Sequence, residues 1–166
     1  RAEVEEFLAS EGSVWLLKLA TLKEDGWPMI VPLWYQWSGG SFWVVGRKRS
    51  TWVEDLKREP RCSICIEEIA HPRIRKVLAQ CVAEVVEGPS VAENSAWLPV
   101  AEEMACRYAG PDGAEQLVPS YGWERYLVKL TPRHGSLTTW QGADWALRYF
   151  DAGQRPDLES GSQGSG

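Results

Sequence analysis

Apolar residues recur along this chain with two different spacings, and the changes of spacing mark out its elements. Over residues 2–10 (AEVEEFLAS), Val4, Phe7 and Leu8 fall on one side of a short helix. VWLLKLATL (14–22) reads as a strand, and KEDGW supplies a turn at Asp25-Gly26. PMIVPLWYQW (28–37) is apolar at both parities, the pattern of a strand covered on both faces. Ser38-Gly39-Gly40 turns tightly into SFWVVGR (41–47), so this region predicts a meander of three antiparallel strands.

Thr51-Trp52-Val53-Glu54 fits a capping box, with Thr51 as N-cap and Glu54 reaching back, and Pro60 ends the helix it opens. RCSICIEEI (61–69) and RKVLAQCVAEVVEG (75–88) are two further strands. The second sets Val77, Ala79, Cys81, Ala83 and Val85 against Leu78, Gln80, Val82, Glu84 and Val86. A second capping box, Ser90-Val91-Ala92-Glu93, predicts a helical region divided by Pro99 and closed by Gly110-Pro111. RYLVKLTP (125–132) is a last long strand, continuing with a bend through SLTTW (136–140). From Asp151 the chain turns polar and finishes in Gly-Ser-Gln-Gly-Ser-Gly, which predicts a flexible tail over 151–166 behind one domain at 1–150.

About six strands, short hairpins and a few helices predict a mainly β (α+β) fold: a small antiparallel barrel with helices at its ends. Strands and helices do not alternate, which excludes a doubly wound parallel sheet, and neither G-x-G-x-x-G nor G-x-x-x-x-G-K-[ST] is present.

Charge sharpens this picture in one place. The 166 residues carry a net charge of −5, which argues against nucleic-acid or membrane-surface partners. No apolar run approaches the roughly 18 residues of a membrane span, and no signal-peptide pattern opens the chain, so a cytoplasmic location is expected. Against that acidic background, GRKRSTW (46–52) places Arg47, Lys48 and Arg49 at the hand-over from a strand to a helix. A helix N-terminus has unpaired N–H groups and a partial positive charge, and it attracts phosphate. Ser50 and Thr51 add hydroxyl donors, and strand alternation puts Trp43, Val45 and Arg47 on one face. Ten tryptophans, several of them flanking this junction, suit a planar ligand as well as a core.

Cys62 and Cys65 have C-x-x-C spacing, but on a strand they point to opposite faces and form a poor metal pair, so no metal site is expected. His71 and His134 sit beside turns and are weak candidates for a general acid. Tyr35 and Tyr108 could donate protons or serve as buried filler. No serine or cysteine has a partner base in its local sequence, and the catalytic residues stay unassigned.

The ordered series from LATLKEDGW through PMIVPLWYQW, the Gly-Gly hairpin, VVGRKRSTW and DLKREPRCSICIEE resembles the signature region of the pyridoxamine-5'-phosphate-oxidase-like split barrels. RKVLAQCVAEVVEG, ACRYAGPDG and the YLVKLTP…W…W…RY ending extend the resemblance from about residue 5 to 150. The resemblance implies a six-stranded split barrel binding FMN, the family's generic ligand, or the deazaflavin coenzyme F-420. It implies a homodimer with a cofactor bound in each of two clefts between the subunits. Carried over by position, Ile30, Val31, Pro32, Leu33 and Trp34 lie along the ring system. Arg47, Lys48, Arg49, Ser50 and Thr51 hold the phosphate, with Trp52 beside them where many relatives carry a lysine. Gln80 reaches the ring edge or phosphorylated chain, and Trp140, Trp145 and Arg148 come from the partner subunit. The implied function is an oxidoreductase passing a hydride to a small conjugated or aromatic substrate. The alternative is a non-catalytic protein that binds, stores or senses a flavin, haem or similar planar ligand.

Overall fold

Two strands that follow one another in the chain, Pro28–Leu33 and Gln36–Ser38, form the two opposite edges of a single antiparallel sheet. The computed structural model describes residues 2–9, 14–70 and 73–141. Its elements are α1 (Ala2–Ala9), β1 (Leu17–Leu22), β2 (Pro28–Leu33), β3 (Gln36–Ser38), β4 (Ser41–Arg47), α2 (Thr51–Arg58), β5 (Arg61–Ala70), β6 (Arg73–Ser90), α3 (Trp97–Leu117), β7 (Arg125–Pro132) and β8 (Thr138–Gln141). The strand order is β2-β1-β5-β6-β7-β4-β3. β7 pairs with the C-terminal half of β6, and β8 continues along the same edge against Arg75–Leu78. The molecule is thus mainly β, with eight strand segments. The six strands expected from sequence become eight because two apolar runs each break into two pieces, β2/β3 and β7/β8.

The expected meander does not form. β2 pairs with β1, β3 pairs with β4, and β2 does not pair with β4. Only Trp34 and Tyr35 separate β2 from β3, so the sheet must roll up to bring its edges together, leaving a seam without strand pairing. The break has a physical cause at Tyr35, which is fully buried. Its hydroxyl donates to the Leu8 carbonyl (3.4 Å) and its N–H donates to the Tyr108 hydroxyl (3.5 Å). The Tyr108 hydroxyl in turn donates to the Trp15 carbonyl at 2.9 Å. Trp34 stacks on the Tyr108 ring, with centroids 5.1 Å apart and planes 4° from parallel.

Nor is β2 covered on both faces. Met29, Val31 and Leu33 are half-buried, while Pro28, Ile30 and Pro32 are exposed, Ile30 by 69%. Prolines lack the N–H that a second neighbour would require, which confines such a segment to a sheet edge.

Inside the roll, Leu17, Leu19, Phe42, Val44, Ile64, Ile66, Val77, Val128 and Leu130 form the core, closed by Phe7 and Leu8 of α1 and by Val53 and Leu56 of α2. Buried Asp55 accepts a hydrogen bond from Thr21 Oγ1 (3.2 Å) and pairs with Arg58 (3.5 Å). Buried Glu68 pairs with Arg75, whose guanidinium lies 4.6 Å over the Phe7 ring. Cys62 is buried among alternating core residues of β5 while Cys65 faces the other way, as strand geometry requires.

Both capping boxes are displaced. Ser50, not Thr51, is the N-cap of α2, and Glu54 accepts from Lys57 Nζ (2.7 Å) and from the Tyr126 hydroxyl (3.4 Å) rather than reaching back. Ser90 ends β6, where its hydroxyl donates to Glu87, and α3 begins at Trp97. Pro99 sits in the first turn of that helix, where its missing N–H has no partner to lose, so it divides nothing. The break comes at Gly110 (φ 73°, ψ 173°). No helix among the described residues is long and apolar enough to cross a membrane. The expected tail over 151–166 lies outside the described residues.

Candidate functional site

The basic junction forms a closed turn. Ser50 N–H donates to the Arg47 carbonyl (2.8 Å), and Arg47 N–H donates to Ser50 Oγ (3.0 Å). The Ser50 hydroxyl proton is left free to donate outward. Behind the turn, the first turn of α2 closes on β4 because Gly46 has no side chain there: a Cβ would come within 2.7 Å of Val53 Cγ2 and 2.9 Å of the Trp52 ring.

This turn forms one side of a cavity of about 460 Å³, lined by Val31, Pro32 and Leu33 of β2, Val45 and Arg47 of β4, Arg49, Ser50, Thr51, Trp52 and Arg125. It lies at the unpaired seam between β2 and β4. β3 reaches only as far as Trp43, so β4 from Val44 onward has an open backbone edge beside β2. A second cavity of about 210 Å³ shares Pro32, Leu33, Val45 and Arg125 and continues under Trp34 to Met104, Leu117 and Tyr121. A third, of about 750 Å³, shares Arg47 and Arg49 and extends past Trp123. Spaces of about 300–1,000 Å³ suit nucleotide-sized ligands.

The structure thus brings together Val31, Pro32, Leu33, Arg47, Arg49, Ser50, Thr51 and Trp52, with Trp34 next door. Of the face Trp43, Val45 and Arg47, the last two line the cavity. Lys48 turns away to pair with Glu124. Ile30 points outward, in a cross-strand row that runs Ile30, Ala20, Ser63, Gln80. Gln80 lines a separate cleft of about 570 Å³ with Arg61, Ser63 and Arg133. The side chain of Trp140, and Trp145 and Arg148 entirely, lie outside the described residues, as does His71. His134 borders a different cleft beside Trp37.

Trp52 is 4% exposed and belongs to the core, so it offers the cavity an edge and no charge. Burial raises the hydroxyl of Tyr35 and pushes that of Tyr108 up to about 12. With their hydrogen bonds already committed, both tyrosines act as braces for the Trp34–Tyr35 corner. No cluster of candidate metal ligands occurs among the described residues.

Arg125 is the cavity residue that the sequence did not disclose. One of its terminal nitrogens donates to the Ser120 carbonyl (3.2 Å) and hydroxyl (2.8 Å), and the guanidinium sits 5.5 Å from the Trp97 ring centre. Its Nε is buried and has no hydrogen-bond partner. The available signal was a basic residue at the start of a strand otherwise apolar in its first half.

No curated protein matches the sequence. Among solved structures, a conserved hypothetical protein of Mycobacterium tuberculosis aligns with a TM-score of 0.66 at 26% identity, covering 95% of this chain and 92% of its own. The haem-storage protein HutZ of Vibrio cholerae aligns at 0.58 and 23% identity, over 86% and 94% of the two chains. An F-420 reductase aligns at 0.55 and 20%, over 80% and 94%. These likenesses agree with the split-barrel architecture described above. The sequence profile of the pyridoxamine 5'-phosphate oxidase family matches residues 1–134, and the chain belongs to that family.

Proposed function

We propose that this protein is an FMN- or F-420-dependent oxidoreductase acting on a small conjugated or aromatic substrate. The observation that carries the reading is the single cavity in which apolar Val31, Pro32 and Leu33 meet Arg47, Arg49, Ser50 and Thr51. That donor set fits a phosphorylated planar cofactor: two arginines, two hydroxyls and the N-terminus of α2 for the phosphate, and a β2 wall for the ring. Such a cofactor supplies hydride chemistry when bound. The chain's own residues bind and orient: Arg47 and Arg49 fix one end, and Leu33 and Trp34 limit the other.

The same reading makes the working unit a homodimer. The outer face of β2, β1, β5 and β6 carries exposed Ile30 (69%) and Val82 (50%), and the β1–β2 turn carries Trp27 (70%). Pairing two copies across this face would cover it and carry Gln80 of one copy toward the cleft of the other.

Absorbance of the purified protein, followed by titration with FMN, riboflavin and F-420, tests the reading. Binding of FMN in preference to riboflavin, weakened roughly tenfold by Arg47→Ala, is expected. Failure to bind either cofactor would sink it.

A second reading, storage or sensing of a planar ligand, is favoured by one specific observation. Among the described residues, the cavity lining contains no side chain that titrates near neutral pH. A haem-type absorbance band, or a bound flavin that passes no electrons to any conjugated acceptor, would move the protein to this class.

A further inference from the structure

Arg47 ends β4 and Arg125 begins β7, and the two stand directly opposite in the β4–β7 ladder. Like charges at such a position repel, and neighbouring strands usually avoid them. Both side chains line the same cavity of about 460 Å³, together with Arg49. Among the described residues, no acidic side chain is part of that lining. Lys48, next in sequence, is neutralised by Glu124, whereas the side chains of Arg47 and Arg49 have no ion pair or hydrogen bond among the described residues.

Arg125 is held differently from a solvated surface arginine. Ser120 grips one terminal nitrogen, Trp97 lies against the guanidinium, and Nε is shielded from water with nothing to bond to. A buried donor without a partner is costly, and more so on a charged group. Burial first, and then the charge of Arg47, lower the affinity of Arg125 for its proton, against an opposing pull from Tyr121. All of these features describe a site whose counter-charge is not supplied by the described residues lining it.

We propose that Arg125 is an anion-binding residue, forming with Arg47 and Arg49 a three-arginine site for a doubly charged phosphate monoester rather than for a carboxylate. One negative charge would leave two of the three cations uncompensated in a partly enclosed space, while a dianion with three acceptor oxygens can engage all three guanidinium groups, Arg125 through the terminal nitrogen that Ser120 does not hold. The inference rests on reading this cleft as the phosphate end of the ligand site, and it adds a residue from β7 to a group otherwise drawn from β4 and the turn after it.

The test uses wild-type protein, Arg125→Gln, Arg125→Lys and the surface control Lys23→Gln, with two readouts. The first is the rise in unfolding temperature produced by inorganic phosphate over chloride at matched ionic strength. The second is affinity for FMN relative to riboflavin. Phosphate is expected to stabilise wild type and Lys23→Gln, with the increment lost in Arg125→Gln and partly kept in Arg125→Lys. Arg125→Gln should also bind FMN about tenfold or more weakly, with riboflavin unchanged. Because the phosphate increment is measured within each variant, a general loss of stability from releasing Ser120 does not imitate it. If Arg125→Gln proves unfolded, Arg125→Lys carries the comparison through the loss of its fork.

A phosphate effect and FMN preference undiminished in both Arg125 variants would overturn the proposal while leaving the cofactor reading intact. A phosphate effect that depends on Arg125 in a protein that binds no flavin would uphold the proposal and remove the cofactor reading. Absence of any phosphate effect in wild type would overturn the proposal outright.

Discussion

The ring of Trp52 lies so close to Gly46 that a methyl group on that glycine would come within 2.9 Å of it. This contact seats the first turn of α2 on β4 and so fixes the height of the Arg47–Ser50 turn above the sheet. Gly46→Ala must therefore lift the helix or tilt the indole. Overpacking of this kind costs about 1–3 kcal/mol. Urea unfolding should register that loss, and the preference for FMN over riboflavin should fall in parallel. A variant that unfolds earlier but keeps the preference would separate the turn from the contact.

Placing a lysine at position 52, as the family resemblance implies for many relatives, is expected to fail. Trp52 is a core residue, and Trp52→Lys would remove a large buried ring and bring an ammonium toward apolar neighbours. Truncating a buried aromatic alone costs about 3–5 kcal/mol. Thermal unfolding should show a marked drop, with no gain in phosphate-dependent stabilisation. A stable Trp52→Lys with tighter FMN binding would mean that the indole is not held as described.

The three consecutive cations should prove unequal. Lys48 is engaged by Glu124 and borders only the 750 Å³ cavity, whereas Arg49 also lines the 460 Å³ one. Lys48→Ala is expected to change FMN affinity less than threefold, and Arg49→Ala to weaken it by roughly tenfold, the range for a charge-assisted hydrogen bond. Isothermal titration of both variants decides the matter, and equal losses would assign the effect to general charge.

Alkaline pH should weaken the fold. Burial pushes the thiols of Cys62 and Cys81 from an ordinary 9.0, and the hydroxyl of Tyr108 from 10.0, up to about 12. Their folded values lie above their unfolded ones, so the folded state holds more protons in that interval and stability falls as pH rises. The contribution is complete below about pH 9 and is lost progressively toward pH 12. The unfolding free energy from urea titrations in reductant should decline from about pH 9 upward, by roughly 1–2 kcal/mol per thiol at about one unit above it. The Cys62→Ala/Cys81→Ala pair should flatten the curve.

Much of the sheet was legible because its strands alternate. β7 coincides with RYLVKLTP, and β6 sorts Val77, Ala79 and Cys81 inward from Leu78, Gln80 and Val82 as its pattern requires. What could not be read depends on contacts remote in sequence. PMIVPLWYQW is apolar throughout, yet its break at Trp34–Tyr35 is made by Tyr108 and Leu8, and its bare face follows from its place at the edge. Ser50 and Thr51 are both good caps, and only the backbone chose between them. Within the candidate site, GRKRSTW and the β2 wall were visible as neighbours of a strand–helix junction. Arg125 was not, because only the β4–β7 register brings it to Arg47.

The short Trp34–Tyr35 link has a mechanical corollary. From Leu33 to Gln36 there are three Cα–Cα steps of about 3.8 Å, so the two edges cannot separate by more than roughly 11 Å at that end. At the other end, the Thr51 hydroxyl lies 3.9 Å from the Met29 sulfur, and Thr21, the cross-strand partner of Met29, donates to Asp55 of α2. The cleft between β2 and the basic turn is therefore pinned at both ends, beside Trp34 by the chain itself and behind Met29 by the Thr21–Asp55 bond, so a guest would meet a gauge set twice over.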